Sequence, residues 1–189
     1  MKKLLALTLV VMVAGGALAQ SSEDNMMGMF FAEPFLSENT NFENTFSPFN
    51  AYNVLLGPTV ETVGGYELGI SMPAEVFVLA VTGPNGWTNF GSNLNHLCGY
   101  QTPLPVVDGG TVLSTLNMLY TGTDIIYIGF GPSDPASIPG VPVIANGADP
   151  EDLIACNLTS DGGFVATING PGVVATEQHS LSSVKALFE

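Results

Sequence analysis

The chain has 189 residues, of which 46% are hydrophobic and only 11% are charged. Seventeen Asp and Glu face three Lys and no Arg, so the formal net charge is −14. A surface of this sign cannot neutralise phosphates, which excludes nucleic acid as a partner, and anionic membrane surfaces repel it. Cations, cationic partners and neutral ligands stay open.

The first nineteen residues have the pattern of a bacterial signal peptide. Lys2 and Lys3 precede the apolar run 4–16, and Ala17-Leu18-Ala19 supplies the small-x-small cleavage site. Cleavage after Ala19 leaves Lys185 as the only basic residue of the mature chain. The sequence therefore predicts a secreted or cell-envelope protein, periplasmic or extracellular, with an uncleaved membrane anchor as the alternative.

Residues 20–50 form an acidic leader that is also rich in phenylalanine. We predict a first strand at 27–31, followed by a loop from Glu33 to Phe46 that crosses the edge of the core. The six phenylalanines favour a leader that is partly docked on the domain, and a disordered acidic tail is the alternative.

The sequence pattern of residues 51–175 is typical of a β domain. From Gly65 to Met72 apolar and polar residues alternate with a period of two, which predicts a strand with one buried face. The segment from Glu75 to Thr82 is almost entirely apolar or β-branched, which predicts a strand buried on both faces.

Two further pairs of strands are predicted as hairpins. The first joins 111–120 to 124–130 across Thr121-Gly122-Thr123, and the second joins 154–159 to 164–169 across a turn that contains Asp161-Gly162.

Many short strands with Gly- and Pro-rich connections predict an all-β fold, a single antiparallel β-sandwich of eight or nine strands. The predicted C-terminal tail, 176–189, carries one short helix at about 182–188.

Two segments resemble the strands of cohesin modules. Glu61 to Val81 reads ETVGGYELGISMPAEVFVLAV, and Gly109 to Gly129 reads GGTVLSTLNMLYTGTDIIYIG. The resemblance implies a jelly-roll or cohesin-like sandwich, a fold that also hosts carbohydrate-binding modules, with a recognition role and no catalysis. The sequence is also similar to a group of exported bacterial proteins that share the segment from Ala145 to Asn157 and to which no activity is assigned.

The two cysteines, Cys98 and Cys156, are predicted to form a disulfide, because an even number of cysteines in an exported protein is typical of a bridge. The alternative is a metal site in which His96 and His179 join them, although their spacing matches no zinc motif.

Calcium is the candidate cofactor. Asn146, Asp149, Glu151 and Asp152 place four oxygen-bearing side chains in seven residues, the ligand type that this cation prefers. The segment lacks the spacing of a known calcium loop, and a plain acidic turn is the alternative.

Trp87, Tyr100 and Gln101 are the candidate ligand-binding residues, since an exposed aromatic ring beside amides is typical of glycan recognition. The alternative is that Trp87 closes one end of the core.

The sequence contains no G-x-S-x-G nucleophile elbow and no Arg to clamp an anionic substrate. We therefore predict an exported, non-catalytic binding or structural module that recognises a glycan or a cell-surface protein. The alternatives are an exported hydrolase that uses a carboxylate pair and a self-assembling envelope component.

Overall fold

The computed structural model describes residues 24–160 and 162–172. The predicted signal peptide at 1–19 and the predicted helix at 182–188 lie outside these residues. Within the described ranges, no helix is long and apolar enough to cross a bilayer.

The described residues form thirteen strands and one 3-10 turn, Ser37–Thr40. The strands are β1 (Met26–Phe30), β2 (Asn41–Phe42), β3 (Phe49–Leu56), β4 (Thr62–Ser71), β5 (Val76–Thr82), β6 (Thr88–Asn89), β7 (Asn95–Pro105), β8 (Thr111–Tyr120), β9 (Ile126–Gly131), β10 (Val143–Asn146), β11 (Leu153–Ala155), β12 (Asn157–Leu158) and β13 (Phe164–Ile168). Four of them span only two or three residues, too few to leave a pattern in the sequence, so the predicted eight or nine strands are an underestimate.

The strands form two sheets that pack face to face, which confirms the predicted all-β sandwich. Sheet A has the order β12-β1-β3-β8-β5, and sheet B has the order β11-β10-β4-β9-β13-β2. In sheet B, β7 also pairs with β4, and β6 pairs with β7. All pairs are antiparallel except β1 with β12 and β2 with β13.

The main core lies between the sheets and follows the period of two. On β4, Tyr66, Leu68 and Ile70 are buried, as the alternation predicts, and they face the interior side chains of sheet A, such as Leu116 and Met118. The predicted first strand is confirmed as β1, which lies between β12 and β3 within sheet A.

Both predicted hairpins are wrong. β8 belongs to sheet A and β9 to sheet B, so the connection at 121–125 carries the chain from one sheet to the other. Likewise β12 pairs with β1 in sheet A, whereas β13 pairs with β9 in sheet B. Each strand has one apolar face that must meet the interior, and crossing the core satisfies this requirement as well as a hairpin does.

The predicted burial of both faces is wrong for β5. It is the last strand of sheet A, and Phe77 and Leu79 are 50% and 51% exposed. An apolar run normally marks a central strand because both faces of such a strand are covered. Here the run forms an edge.

Candidate binding surfaces

A chain of polar groups crosses the interior between the sheets. The Tyr66 hydroxyl of β4 lies 2.7 Å from Ser114 Oγ of β8 and 2.9 Å from His96 Nδ1 of β7. Asn53 Nδ2 of β3 donates to Ser114 Oγ at 3.0 Å. His96 Nε2 lies 3.1 Å from the carbonyl of Asn93, which can only accept, so Nε2 carries the proton of the imidazole.

Burial determines the charge of this interior. Desolvation lowers the pKa of His96 to about 4 and raises the pKa of Tyr66 well above its ordinary value. His96 and Ser114 are both fully buried. The chain of polar groups is therefore neutral at neutral pH and closed to a substrate, which makes it a structural link between the sheets.

The predicted disulfide is not formed in the structure. Cys98 and Cys156 are free, buried thiols. Cys98 lies on β7, whereas Cys156 follows β11, and β4 and β10 separate these two strands. Three strand spacings of about 4.8 Å put them roughly 14 Å apart, and a bridge needs Cα atoms within about 7 Å.

Burial also raises the pKa of both thiols, to about 11 for Cys98 and about 12 for Cys156. Both thiols are therefore protonated at neutral pH. The described residues contain no group of three or more His, Cys, Asp and Glu that could hold a metal ion. His179, the fourth member of the alternative metal set, lies outside those residues.

The predicted glycan platform is not assembled. Tyr100 is buried, and its hydroxyl donates to the carbonyl of Leu113 at 2.8 Å. The indole of Trp87 packs edge-on against His96 with ring centroids 6.4 Å apart, so Trp87 contributes to the core. Of the three predicted residues only Gln101 is exposed.

The predicted calcium segment forms a compact acidic turn. Asn146 Nδ2 donates to Asp152 Oδ2 at 3.0 Å, and Asp149 Oδ1 accepts from the amide of Glu151 at 3.2 Å. Asn146 Oδ1 accepts from the amide of Ala148. Several of the oxygens that would bind the cation are thus used by the turn itself, and calcium binding stays a prediction.

The outer face of sheet B is partly covered by the proline-rich loop 132–142. The carboxylate of Glu67 accepts from the Ser137 hydroxyl at 2.6 Å, from the Ser137 amide at 2.9 Å and from Ser133 Oγ at 3.3 Å. Asn95 and the backbone of Asp134 exchange two further hydrogen bonds, at 2.7 and 2.8 Å. Beyond the loop, the half-exposed rings of Tyr127 and Phe164 lie 5.4 Å apart.

The outer face of sheet A is covered over one half only. There Phe35 packs against Phe30 and Tyr52, with ring centroids 5.6 and 6.2 Å apart, and closes a second apolar cluster that includes Val54 and Leu56.

The other half of this face, here called the open half of sheet A, comprises Asn50 of β3, Asn117 and Leu119 of β8, and Phe77 and Ala80 of β5. The register places Phe77 opposite Leu119 and Ala80 opposite Asn117, which in turn is opposite Asn50. Asn117 Nδ2 donates to Asn50 Oδ1 at 3.0 Å. These five residues form a surface of apolar and amide side chains without a charged residue.

A groove of about 600 Å³ opens at the far end of β5. Phe35, Val112, Thr82 and Pro84 contribute to its walls, and its two carboxylates are Glu33 and Asp108.

The charge of the described residues has a single sign. They include thirteen Asp and Glu, whereas all three lysines, at 2, 3 and 185, lie outside the described ranges. A partner of this surface meets carboxylates and no cation.

Two solved structures share this architecture. A cohesin module from a family 33 glycoside hydrolase of Clostridium perfringens superposes with a TM-score of 0.50 at 14% identity, over 77% of this chain and 98% of that one. The sixth cohesin of scaffoldin B from Acetivibrio cellulolyticus, in complex with a mutant Cel5 dockerin, gives 0.51 at 8% identity, over 78% and 99%. No protein-family model matches the sequence, and no curated protein matches it. The fold is thus a cohesin-like β-sandwich, as the sequence resemblance implies.

Proposed function

We propose that this chain is an exported, non-catalytic module that binds a partner protein through the open half of sheet A. The observation that carries the proposal is the half-exposed Phe77, which lies opposite Leu119 among uncharged side chains in a molecule whose described charged residues are all acidic. Exposed apolar patches rimmed by polar groups mark interaction sites. The similar cohesin of Acetivibrio cellulolyticus, which is in complex with a dockerin, supports a protein partner for a sandwich of this kind.

The absence of catalysis is part of the same proposal. His96, the one imidazole among the described residues, is fully buried and held by Tyr66 and Asn93, so it is unavailable to a substrate. Of the carboxylates that a hydrolase would use, Glu67 holds the loop 132–142, and the groove at the end of β5 brings together one pair, Glu33 and Asp108, with no imidazole beside it.

The partner carries positive charge. The charged residues of the described surface are all acidic, so a basic protein gains attraction over long distances whereas an acidic one is repelled. The open half of sheet A then supplies uncharged contact area, and carboxylates lie at the two ends of its edge strand β5, Glu75 at one end and Glu33 with Asp108 at the other.

The test compares what three immobilised forms of the chain retain from the exported proteins of the native culture. These forms are the wild type, the double variant Phe77→Asp with Leu119→Asp, and the matched control Tyr127→Asp, which is about as exposed but lies on sheet B. We expect at least one basic protein to be retained by the wild type and by the control and lost from the double variant. Identical sets of proteins on all three forms would contradict the proposal.

A further inference from the structure

β5 is an unusual edge. Among the described residues, the other terminal strands of the two sheets are β12, β11, β2 and β6, which span two or three residues each, whereas β5 spans seven. Proteins usually protect long edges with charged residues or proline, because free backbone groups attract other strands. β5 reads Val-Phe-Val-Leu-Ala-Val-Thr and has neither. The strand is interrupted by a register shift between Val78 and Ala80.

The backbone of β5 offers hydrogen bonds on its free side. The carbonyl of Val78 accepts from Asn93 Nδ2 at 3.5 Å, a long contact with an exposed side chain. This carbonyl therefore points away from β8. In an antiparallel ladder the N–H and C=O of one residue point to the same side, so the Val78 amide also points outward. An incoming strand can displace Asn93 and use both groups.

Both ends of this edge are acidic. Glu75 directly precedes β5 and is exposed. Thr82 at the other end lies in the wall of the groove that contains Glu33 and Asp108. Between these ends the strand is apolar and uncharged, with Phe77 and Leu79 half exposed.

We propose that β5 accepts an extended, cationic segment of the partner protein as an additional strand of sheet A. Backbone hydrogen bonds at Val78 hold the segment, its apolar side chains contact Phe77 and Leu79, and Lys or Arg at its ends meets Glu75 on one side and Glu33 with Asp108 on the other. Strand addition of this kind takes affinity from the backbone and specificity from the side chains. The inference rests on the proposed function and specifies how the partner is held.

A second copy of this chain is disfavoured as the occupant. Two β5 strands pairing with each other would bring together two molecules of net charge −14, with a Glu75 on each. Like charges brought together oppose association, whereas a cationic segment is attracted by the same groups.

The test uses a synthetic peptide as the probe, Lys-Val-Thr-Val-Thr-Val-Lys, and a matched peptide with Glu at both ends. Amide exchange of the purified chain is followed by nuclear magnetic resonance in 50 mM salt. We expect the Val78 amide to exchange at least tenfold more slowly at saturation with the lysine peptide, and we expect the glutamate peptide to bind at least tenfold more weakly. A double variant Glu33→Gln with Asp108→Asn should weaken the lysine peptide at least threefold, whereas Glu38→Gln, exposed and outside the groove, should not.

Three results would overturn the inference. Binding of the lysine peptide without protection of Val78 would mean docking on the face of the sheet, and no binding of that peptide at all would mean that the edge is not used; neither affects the capture experiment with the Phe77 and Leu119 variants. Protection of Val78 without any peptide, together with a dimer by light scattering, would identify a second copy as the occupant.

Discussion

The outer faces of the two sheets are covered by different means. On sheet A, Phe35 closes an apolar cluster over Phe30, Val54 and Leu56, and this cover is hydrophobic. On sheet B, the loop 132–142 is held by hydrogen bonds to Glu67 and Asn95. An apolar cover contributes to stability in proportion to the area that it removes from water, whereas a polar cover mainly fixes position, because its groups would otherwise bond to water.

The difference has a consequence for where a partner can bind. The hydrophobic cover ends partway across sheet A and leaves its other half open, with Phe77 exposed beside Leu119. The polar loop on sheet B lies over the centre of that sheet and leaves the pair Tyr127 and Phe164 to one side.

The largest loss of stability is expected from truncating Phe35 in the apolar cover of sheet A. Phe35→Ala should lower the free energy of unfolding by about 3 kcal/mol, the usual cost of truncating a buried phenylalanine. Denaturant unfolding measures it, and Phe46→Ala, at a side chain that is 55% exposed, is the matched control with little expected change. Equal midpoints for the two variants would show that the cover is not closed by Phe35.

His96, buried between the two sheets, should make the stability of the fold depend on pH. The pKa of His96 is about 4 in the folded state and about 6.5 in the unfolded state. Between these values the unfolded chain takes up a proton that the folded chain does not, so stability falls as the pH drops from 6.5 to 4, by up to about 3 kcal/mol. His96→Gln removes this contribution, and unfolding of both proteins at pH 7 and pH 4.5 measures the difference.

The comparison between wild type and variant isolates the contribution of His96 from every other effect of acidification. The variant should be less stable at pH 7, because the hydrogen bond between the imidazole and Tyr66 is lost. An equal loss of stability on acidification in both proteins would contradict the assignment of the slope to His96.

Truncating the polar cover of sheet B should lower the free energy of unfolding by less. Glu67→Ala removes the acceptor of three hydrogen bonds and should cost about 1 kcal/mol, because the loop that it holds can bond to water instead. The sharper measure is exchange of the Ser137 amide, which should become at least tenfold faster. Glu61→Ala, at an exposed position just before β4, is the control and should leave that amide unchanged.

The smallest effect on stability is expected on the open half of sheet A. Phe77→Asp should change the free energy of unfolding by no more than about 0.5 kcal/mol, since half of this side chain is already in water. Thermal unfolding tests this. A much larger loss would mean that Phe77 supports the fold, and the binding experiment would then need a different variant.

The sequence predicts best what depends on local pattern. The alternation through Tyr66, Leu68 and Ile70 identifies β4 and its buried face, because a period of two has one physical meaning. Met27 to Phe31 predicts β1 within one residue at each end, although nothing local shows that its neighbours are β3 and β12.

A local sequence pattern does not predict features that depend on contacts between residues far apart in the chain. An apolar strand has the same composition at the centre of a sheet and at its edge, so β5 could not be placed from its residues. The links from Tyr66 to His96 and Ser114 join positions 30 and 48 residues apart. The separation of Cys98 from Cys156 likewise follows from the strand order, which no spacing along the chain reveals.

The two short parallel strand pairs affect how fast the molecule folds. β1 pairs with β12, and β2 pairs with β13, where Thr167 donates to Asn41 across 126 residues of chain. Strands near one end of the described chain therefore pair with strands near the other end, and these pairs can form only after the long intervening loops have closed. Closing a long loop lowers the conformational entropy of the chain before the contacts that offset this loss have formed. We therefore expect folding to be slow for a protein of this size. Each sheet is therefore complete only when residues near the end of the described chain have reached their places beside β1 and β2.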